Sequence, residues 1–323
     1  MRVRECVVVI TGASSGIGRA TALALAEKGA SVVLAARGHE ALRAVAMECE
    51  ATRGSALVVP TDVTDADAVQ ALARGAVDHF GRIDVWVNNA AVGAFAPFQE
   101  IPLEDFRRVL DVNILGYVHG ARAALPHLCA QPEGLLINVS SIVSAVPQPY
   151  THAYAMSKAA VTALGASLRQ ELRLEGVKHV KVCTVKPASI DTPFFEHSAN
   201  YTGRKPKAMP PVNSAERVAN SIVDLVRKPR REVVVGSMGR NLELQSKLAP
   251  GLMERLMARQ VDATHLYHRK AAQDTSGILF EPAEGLGSVS GGWHGKRRTA
   301  VRRTASVGLA AAAGVALARG RRR

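Results

Sequence analysis

The sequence predicts a doubly wound α/β fold, a mostly parallel sheet with helices on both faces. Three features predict it. Apolar, β-branched runs of strand length alternate with Ala- and Leu-rich helical stretches; the first run passes directly into a glycine-rich turn and a helix; and 47% of the residues are hydrophobic while only 4% are aromatic. Strands buried on both faces lose the polar alternation of half-exposed ones, and small aliphatic side chains let helices lie close against them. At 323 residues, the chain suits one large body carrying an appendage.

Residues 3–10 read as a central strand, followed by Thr11-Gly12-Ala13-Ser14-Ser15-Gly16-Ile17-Gly18 and a helix over 19–28. Glycines let a backbone approach a pyrophosphate, whose charge is met by amides at a helix N-terminus. Gly12, Ser14, Ser15, Gly16, Ile17 and Gly18 are therefore candidate dinucleotide contacts. Taken alone, the pattern also fits an ordinary strand-to-helix turn. The second strand, 31–36, ends at Arg37. An acid there would accept hydrogen bonds from a ribose 2′-hydroxyl, whereas Arg37 offers a cation to a 2′-phosphate, which favours NADP(H) over NAD(H), with Arg19 as a second candidate.

A helix over 39–53 and a third strand over 55–60 lead to Asp62-Val63. Asp62 reads as a partner for an adenine amino group and equally as the cap of the next helix, where Thr64, Asp65 and Asp67 are also cap-like, two roles that can coexist. The fourth strand, 83–87, ends in Asn88-Asn89-Ala90-Ala91. Amide side chains there can tie neighbouring strands together, and Asn89 and Ala90 let a cofactor ribose lie against the backbone. The helical stretch 103–131 carries Asn113 at its middle, against helix propensity.

The fifth strand, 135–139, delivers Ser140 and Ser141 at its C-terminal end, where such sheets place ligands. Tyr154 and Lys158 follow, four apart and so on one helix face. A nearby ammonium favours the phenolate and brings its proton into range for transfer. Alone, the pair reads more simply as a half-buried Tyr and an exposed Lys. The sixth strand, 180–185, ends in a segment from Pro187 to Thr192, and residues 194–212 read as a substrate loop with Phe194, Phe195, Tyr201 and Met209. Phe95, Phe98, Val143, Val146 and Pro147 are expected as further apolar walls, with core packing as the alternative for each. Asn213 and Glu216 predict a capping box for the helix running toward Lys228, and 231–235 is the seventh strand.

In order and spacing, Thr11-Gly12-x-x-x-Gly16-Ile17-Gly18, Asp62-Val63, Asn88-Asn89-Ala90-Ala91, Asn113, Ser141, Tyr154-x-x-x-Lys158 and Pro187 to Thr192 resemble the short-chain dehydrogenase/reductase family. The resemblance covers about residues 3–240. It implies a Rossmann body with a seven-stranded parallel sheet ordered 3-2-1-4-5-6-7. The implied activity is interconversion of a carbonyl and a secondary alcohol with a nicotinamide cofactor. In that scheme Tyr154 is the acid/base, and Ser141, thirteen residues earlier, holds the reacting oxygen. Lys158 binds the nicotinamide ribose and lowers the Tyr154 pKa, Asn113 bends its helix and holds a water of a proton relay, and Thr192 meets the carboxamide. Ser140 and Ser144 compete for the role of Ser141, and His152 is expected to line or cap rather than react. Ala188 stands where the family usually has Gly. The resemblance also implies a homo-oligomer, dimer or tetramer, through the helices at 103–131 and 153–175. The apolar walls suggest a hydrophobic small-molecule substrate.

The expected division is a catalytic body, 1–240, that includes the substrate loop 188–212, an extension 241–295 packing on it, and a tail 296–323. The stretch 242–257 has helical spacing interrupted by Pro250-Gly251, while 277–282 and the glycines around Trp293 fit either a loop wrapping the body or a linker. Net charge is +13, yet the tail alone holds nine basic residues and no acid, leaving +4 for the rest. The charge is thus no argument for a specific nucleic-acid function of the body. The apolar run 305–318 is shorter than the roughly 20 residues that cross hydrocarbon. It reads as part of a disordered basic tail or as a peripheral contact with an anionic membrane surface. Four scattered cysteines lack the spacing of a zinc site or disulfide framework, so no metal is expected. Those thiols and a strand-like N-terminus point to the cytoplasm. A non-catalytic dinucleotide-binding scaffold and a tail-driven nucleic-acid binder are the alternative classes. The joint presence of Ser141, Tyr154 and Lys158 favours the enzyme.

Overall fold

The structure, a computed structural model, describes residues 1–236 and 239–293. Seven strands form one parallel sheet: β1 Val7–Thr11, β2 Ser31–Ala36, β3 Ser55–Pro60, β4 Val85–Asn88, β5 Gly134–Val139, β6 Val180–Pro187 and β7 Glu232–Val235. Their order is β3-β2-β1-β4-β5-β6-β7, and every pairing within it is parallel. The order reverses beside β1, where β2 lies on one side and β4 on the other, and this opens a crevice at the strands' C-terminal ends.

Successive side chains of β1 serve opposite faces, as a strand's two-residue period demands. Val8 and Ile10 pack in the core beneath α1 Gly16–Ala26 and α2 His39–Glu50, which Ala215–Arg227 joins on the same face. Val7 and Val9 pack in the other core, beneath α3 Ala66–Phe80 and the helices of 103–174. These last are α4 Leu103–Leu110, α5 Gly116–Cys129 and α6 His152–Leu174. Burial on both sides is the physical reason the strands read as unbroken apolar runs.

Three local expectations are corrected. The first strand begins at Val7, because Val3–Glu5 makes a helical turn whose charged residues face solvent while Val3 is buried. The helix Ala215–Arg227, here α7, has Ser214 at its cap position and no side-chain capping bond; Asn213 instead accepts from Arg217 and donates to the Ser189 carbonyl. Asp65, and not Asp62, caps α3 by accepting from the amides of Asp67 and Ala68.

Beyond β7, α8 Gly239–Leu248 and α9 Pro250–His265 are separated at Ala249-Pro250, and Leu266–Ala271 pairs antiparallel with Arg204–Pro206 of the substrate loop. Buried Lys186 of β6 pairs with Glu232 at 2.6 Å and with Glu243 of α8 at 3.3 Å. Asp262 of α9 accepts from Tyr150 and Arg204, so the extension grips both the loop entering α6 and the substrate loop. Residues 277–293 then return across the strand ends. The tail 296–323, with its apolar run, lies outside the described residues. Among the described residues, no helix is long and apolar enough to cross a membrane.

Candidate active site

The glycine-rich turn is shaped by close backbone packing. Gly12 has φ +68°, and a Cβ on Gly18 would lie 2.0 Å from the Gly12 carbonyl oxygen, so the turn and the first turn of α1 meet only without side chains. Asn89 ties this turn to β4: its side-chain amide donates to the Thr11 and Gly12 carbonyls at 2.9 and 3.2 Å. The Thr11 hydroxyl returns the tie by accepting from the Asn89 and Ala90 amides.

From this turn a cleft of about 300 Å³ runs along the strand ends. Gly12, Ser14, Ser15, Gly16, Ile17, Arg37, Asp62, Val63, Asn89, Ala90, Ser141, Tyr154, Lys158, Pro187 and Thr192 all line it, Thr192 lying against Gly16 of the turn. Gly18 and Asn113, also chosen from sequence, support the cleft from behind. Asn113 is fully buried. It sits in a π-bulge, Asp111–Leu115, that interrupts the α4–α5 helix. Its side chain accepts from the Val92 amide and donates to the Val92 carbonyl and Ser157 hydroxyl, at 2.9, 2.9 and 3.0 Å.

At the reacting end, the helical turn between Tyr154 and Lys158 sets their spacing, and the end of β5 sets Ser141 against them. Ser141 lines the cleft beside Tyr154, pulling against the rise of its phenol, and the Ser141 hydroxyl accepts from the Val143 amide at 3.3 Å. Ser140 is turned away to the Lys158 carbonyl and Thr162, and Ser144 donates to the Ser141 carbonyl. Lys158 Nζ donates to the Tyr117 hydroxyl at 3.1 Å and the Val139 carbonyl at 2.9 Å, and lies 5.6 Å from the Tyr154 ring centroid. Tyr117 is a member of this cluster that the sequence did not single out; it lies four residues beyond Asn113 in the same helical stretch, on a face that period could have indicated.

The electrostatics differ from the sequence expectation. Burial pushes the Tyr154 phenol up to about 12, with Ser141 pulling the other way. Burial brings Lys158 down to about 7. Both charged forms lose hydration in the same pocket, so the lysine spends its polarity on Tyr117 and Val139 and does not by itself lower the phenol.

Of the expected apolar walls, Phe95, Val143, Phe194, Phe195 and Met209 line the cleft. Phe98 is 65% exposed and stacks on His152 at α6's start, and Pro147 faces solvent. Val146 lines a smaller adjoining pocket, and Tyr201 donates its hydroxyl to Asp105. Sequence missed His265, the last residue of α9, which lines the cleft between Phe95 and Phe195 with ring centroids 5.3 and 5.5 Å away. Its Nδ1 lies 2.6 Å from the Lys207 carbonyl, which can only accept, so Nδ1 carries the proton. Burial lowers its pKa to about 4, leaving a neutral ring near pH 7.

Arg37 stands at the end of β2 as expected, but its guanidinium donates to the carbonyls of Ile278, Leu279, Phe280 and Glu281. Arg19 likewise donates to the Leu286 and Gly287 carbonyls and pairs with Glu48. Asp62 accepts from Thr64 and pairs with Arg108 at 2.7 Å. Burial opposes ionisation of Asp62, but the Thr64 and Arg108 bonds outweigh it and its carboxyl is held below the usual range.

A doubly wound sheet whose cleft is lined by a glycine turn and a Ser–Tyr–Lys cluster defines an oxidoreductase that uses a nicotinamide dinucleotide. The chain belongs to the short-chain dehydrogenase family, whose model matches residues 6–201. It is 37% identical over 286 residues to the uncharacterized oxidoreductase YxnA of Bacillus subtilis, a match covering 87% of this chain and 78% of that one. That span is longer than the 1–240 body, so it takes in part of the extension. An uncharacterized oxidoreductase of Staphylococcus epidermidis is 35% identical over 71% of this chain and 94% of its own length. Among solved structures, a short-chain dehydrogenase/reductase from Burkholderia phymatum in complex with NAD superposes with TM-score 0.69 at 27% identity, covering 77% of this chain and 95% of that one. An alcohol dehydrogenase from Thermococcus sibiricus complexed with 5-hydroxy-NADP gives TM-score 0.63 at 29% identity, covering 71% and 95%.

Proposed function

We propose that the chain is an NADP(H)-dependent oxidoreductase that interconverts a carbonyl and a secondary alcohol on an apolar small molecule, with Tyr154 as acid/base. The observation that carries this reading is Ser141, Tyr154 and Lys158 lining one cleft with the glycine turn, Lys158 one helical turn beyond Tyr154. The residues fit a dinucleotide. Gly12 and Gly18 leave backbone bare beside the N-terminus of α1, and Thr192 and Pro187 line the same cleft, Thr192 directly against Gly16. A bound nicotinamide supplies the hydride for reduction and accepts it in oxidation.

The protein's own groups manage the oxygen. In reduction, Tyr154 gives its proton to the carbonyl oxygen as negative charge grows there, and Ser141 holds the same oxygen with a hydrogen bond that strengthens with that charge. Lys158 would hold the nicotinamide ribose hydroxyls, and Thr192 the carboxamide. Asn113 positions this cluster through Ser157, the neighbour of Lys158. Phe95, Phe194, Phe195 and Met209 make the substrate end apolar, which supports a hydrophobic substrate. NADP(H) is supported by Arg37 at the end of β2, where no acid stands.

Exposed Leu103, Leu115 and Met156 on the α4–α6 surface support a homo-oligomer formed through those helices. The unpaired cysteines support a reducing, cytoplasmic setting. Peripheral membrane contact is proposed only for the tail 296–323. The test is a carbonyl and alcohol panel with NADPH, NADH and their oxidised forms, comparing wild type with Tyr154→Phe. The variant is expected to lose about 10²–10⁴-fold in kcat while still binding cofactor; equal turnover overturns the assignment.

A further inference from the structure

Residues 277–293 cross the cleft as a strap held at three places. At its start, the Ile278 amide donates to the His197 carbonyl, and four successive carbonyls from Ile278 to Glu281 take Arg37. Arg108 reinforces this end, donating to the Leu279 carbonyl and lying over the Phe280 ring at 5.8 Å. In the middle, Arg19 takes the Leu286 and Gly287 carbonyls, and the Gly16 amide, at the N-terminus of α1, donates to the Ser288 carbonyl at 2.8 Å. At its far end, buried Asp191 accepts from the Ser290 hydroxyl and from the Gly291 and Trp293 amides. Ile278, Pro282, Ala283, Gly285 and Gly287 line the cleft itself.

Those donors are the ones a phosphorylated dinucleotide needs. Arg37 stands where a 2′-phosphate would be met and the Gly16 amide where a pyrophosphate would be met, and strap carbonyl oxygens sit on both. A carbonyl oxygen and a phosphate oxygen cannot both take the same N–H without lengthening its bonds, and a phosphate makes the stronger, charge-assisted partner. We infer that the strap is a specificity-determining gate: a 2′-phosphate draws Arg37 off residues 278–281 and so opens the strap, whereas a dinucleotide without that phosphate leaves this latch engaged. The inference rests on the NADP(H) reading above. It gives the extension a task in cofactor selection, with the strap's carbonyls setting the threshold an incoming ligand has to exceed.

The test uses the full chain with adenosine 2′,5′-bisphosphate and 5′-AMP, which differ only in the 2′-phosphate, as probes, their affinities measured by calorimetry. Strap opening is read in two ways: by cleavage after exposed Glu284 with a glutamyl endopeptidase, followed by mass spectrometry, and by emission of Trp293, which packs on Phe195. Cleavage of a transiently open segment follows its open population, so saturating 2′,5′-bisphosphate is expected to raise the Glu284 cut about tenfold and shift Trp293 emission, with 5′-AMP doing neither. Tight binding of the bisphosphate with unchanged or reduced cleavage overturns the gate and leaves the NADP(H) reading standing. Equal or tighter binding of 5′-AMP overturns the NADP(H) reading and the gate with it. Gly287→Ala is the second variant: Gly287 has φ +68°, and its Cβ would lie 2.5 Å from the Ser14 carbonyl oxygen, so the strap is unseated there. It is expected to be cut fast with or without the probe; cleavage that stays slow and probe-dependent overturns the strap's role.

Discussion

Lys158→Met isolates the consequence of burying an amine beneath the active-site phenol. The side chain is 1% exposed, and burial brings its pKa from 10.5 to about 7. The unfolded chain keeps this proton up to pH 10.5, while the folded chain releases it near 7. Between those values unfolding takes up a proton, so the lysine makes stability rise with pH. Each pH unit in the middle of that window is worth about 1.4 kcal/mol per proton. From about pH 7.5 to about pH 9, the wild-type unfolding free energy is therefore expected to climb by about 2 kcal/mol relative to the methionine variant. The thiols of Cys6, Cys49 and Cys183 are raised by burial to about 11, 12 and 11, so in that range they begin to titrate only in the unfolded chain, where their value is 9.0. This is common to both proteins and cancels in the difference. The assay is urea unfolding followed by circular dichroism at several pH values. A difference that is flat across the range would show that the amine keeps an ordinary pKa in the folded chain, and the account of the pocket's electrostatics would fail.

Gly18→Ala places a Cβ 2.0 Å from the Gly12 carbonyl oxygen, so the turn has to separate from α1. Dinucleotide affinity by calorimetry is expected to fall, with stability reduced by about 1–3 kcal/mol as for other overpacked sites; unchanged affinity would refute the close-packing argument. Asn113→Ala leaves the buried Val92 amide and carbonyl without their partner. At about 1–3 kcal/mol for each orphaned group, a loss of at least about 2 kcal/mol is expected in urea unfolding, and a change under about 0.5 kcal/mol would show that water or a rearranged backbone replaces the side chain.

How legible each feature was follows from the range over which its cause acts. The glycine turn and the Tyr154–Lys158 pair depend on neighbours a few residues away, so strand, turn and helix patterns placed them in the cleft. Family resemblance chose Ser141 over Ser140 and Ser144, and the structure adds where the other two hydroxyls go, Ser140 to the Lys158 carbonyl and Ser144 to the Ser141 carbonyl. The aromatic walls divided for the same reason: Phe95 and Phe195 face His265, while Phe98 belongs to the surface beside His152. His265 itself looked like the ordinary end of an amphipathic helix. Only the Lys207 carbonyl and two aromatic rings make it a neutral group in the cleft.

From sequence alone came the doubly wound body, the glycine-rich turn and the placing of Tyr154 and Lys158 on one helix face, since hydrophobic period, backbone freedom of glycine and helical spacing are properties of short segments. The tertiary structure decided the partners of the charged and titrating groups. Arg37 meets a backbone carbonyl 241 residues further along the chain, and the pKa values of Tyr154 and Lys158 follow from how completely water is excluded around them. Neither is encoded locally, because a buried group's ionisation and a strap's closing contacts depend on which distant surfaces the fold brings together.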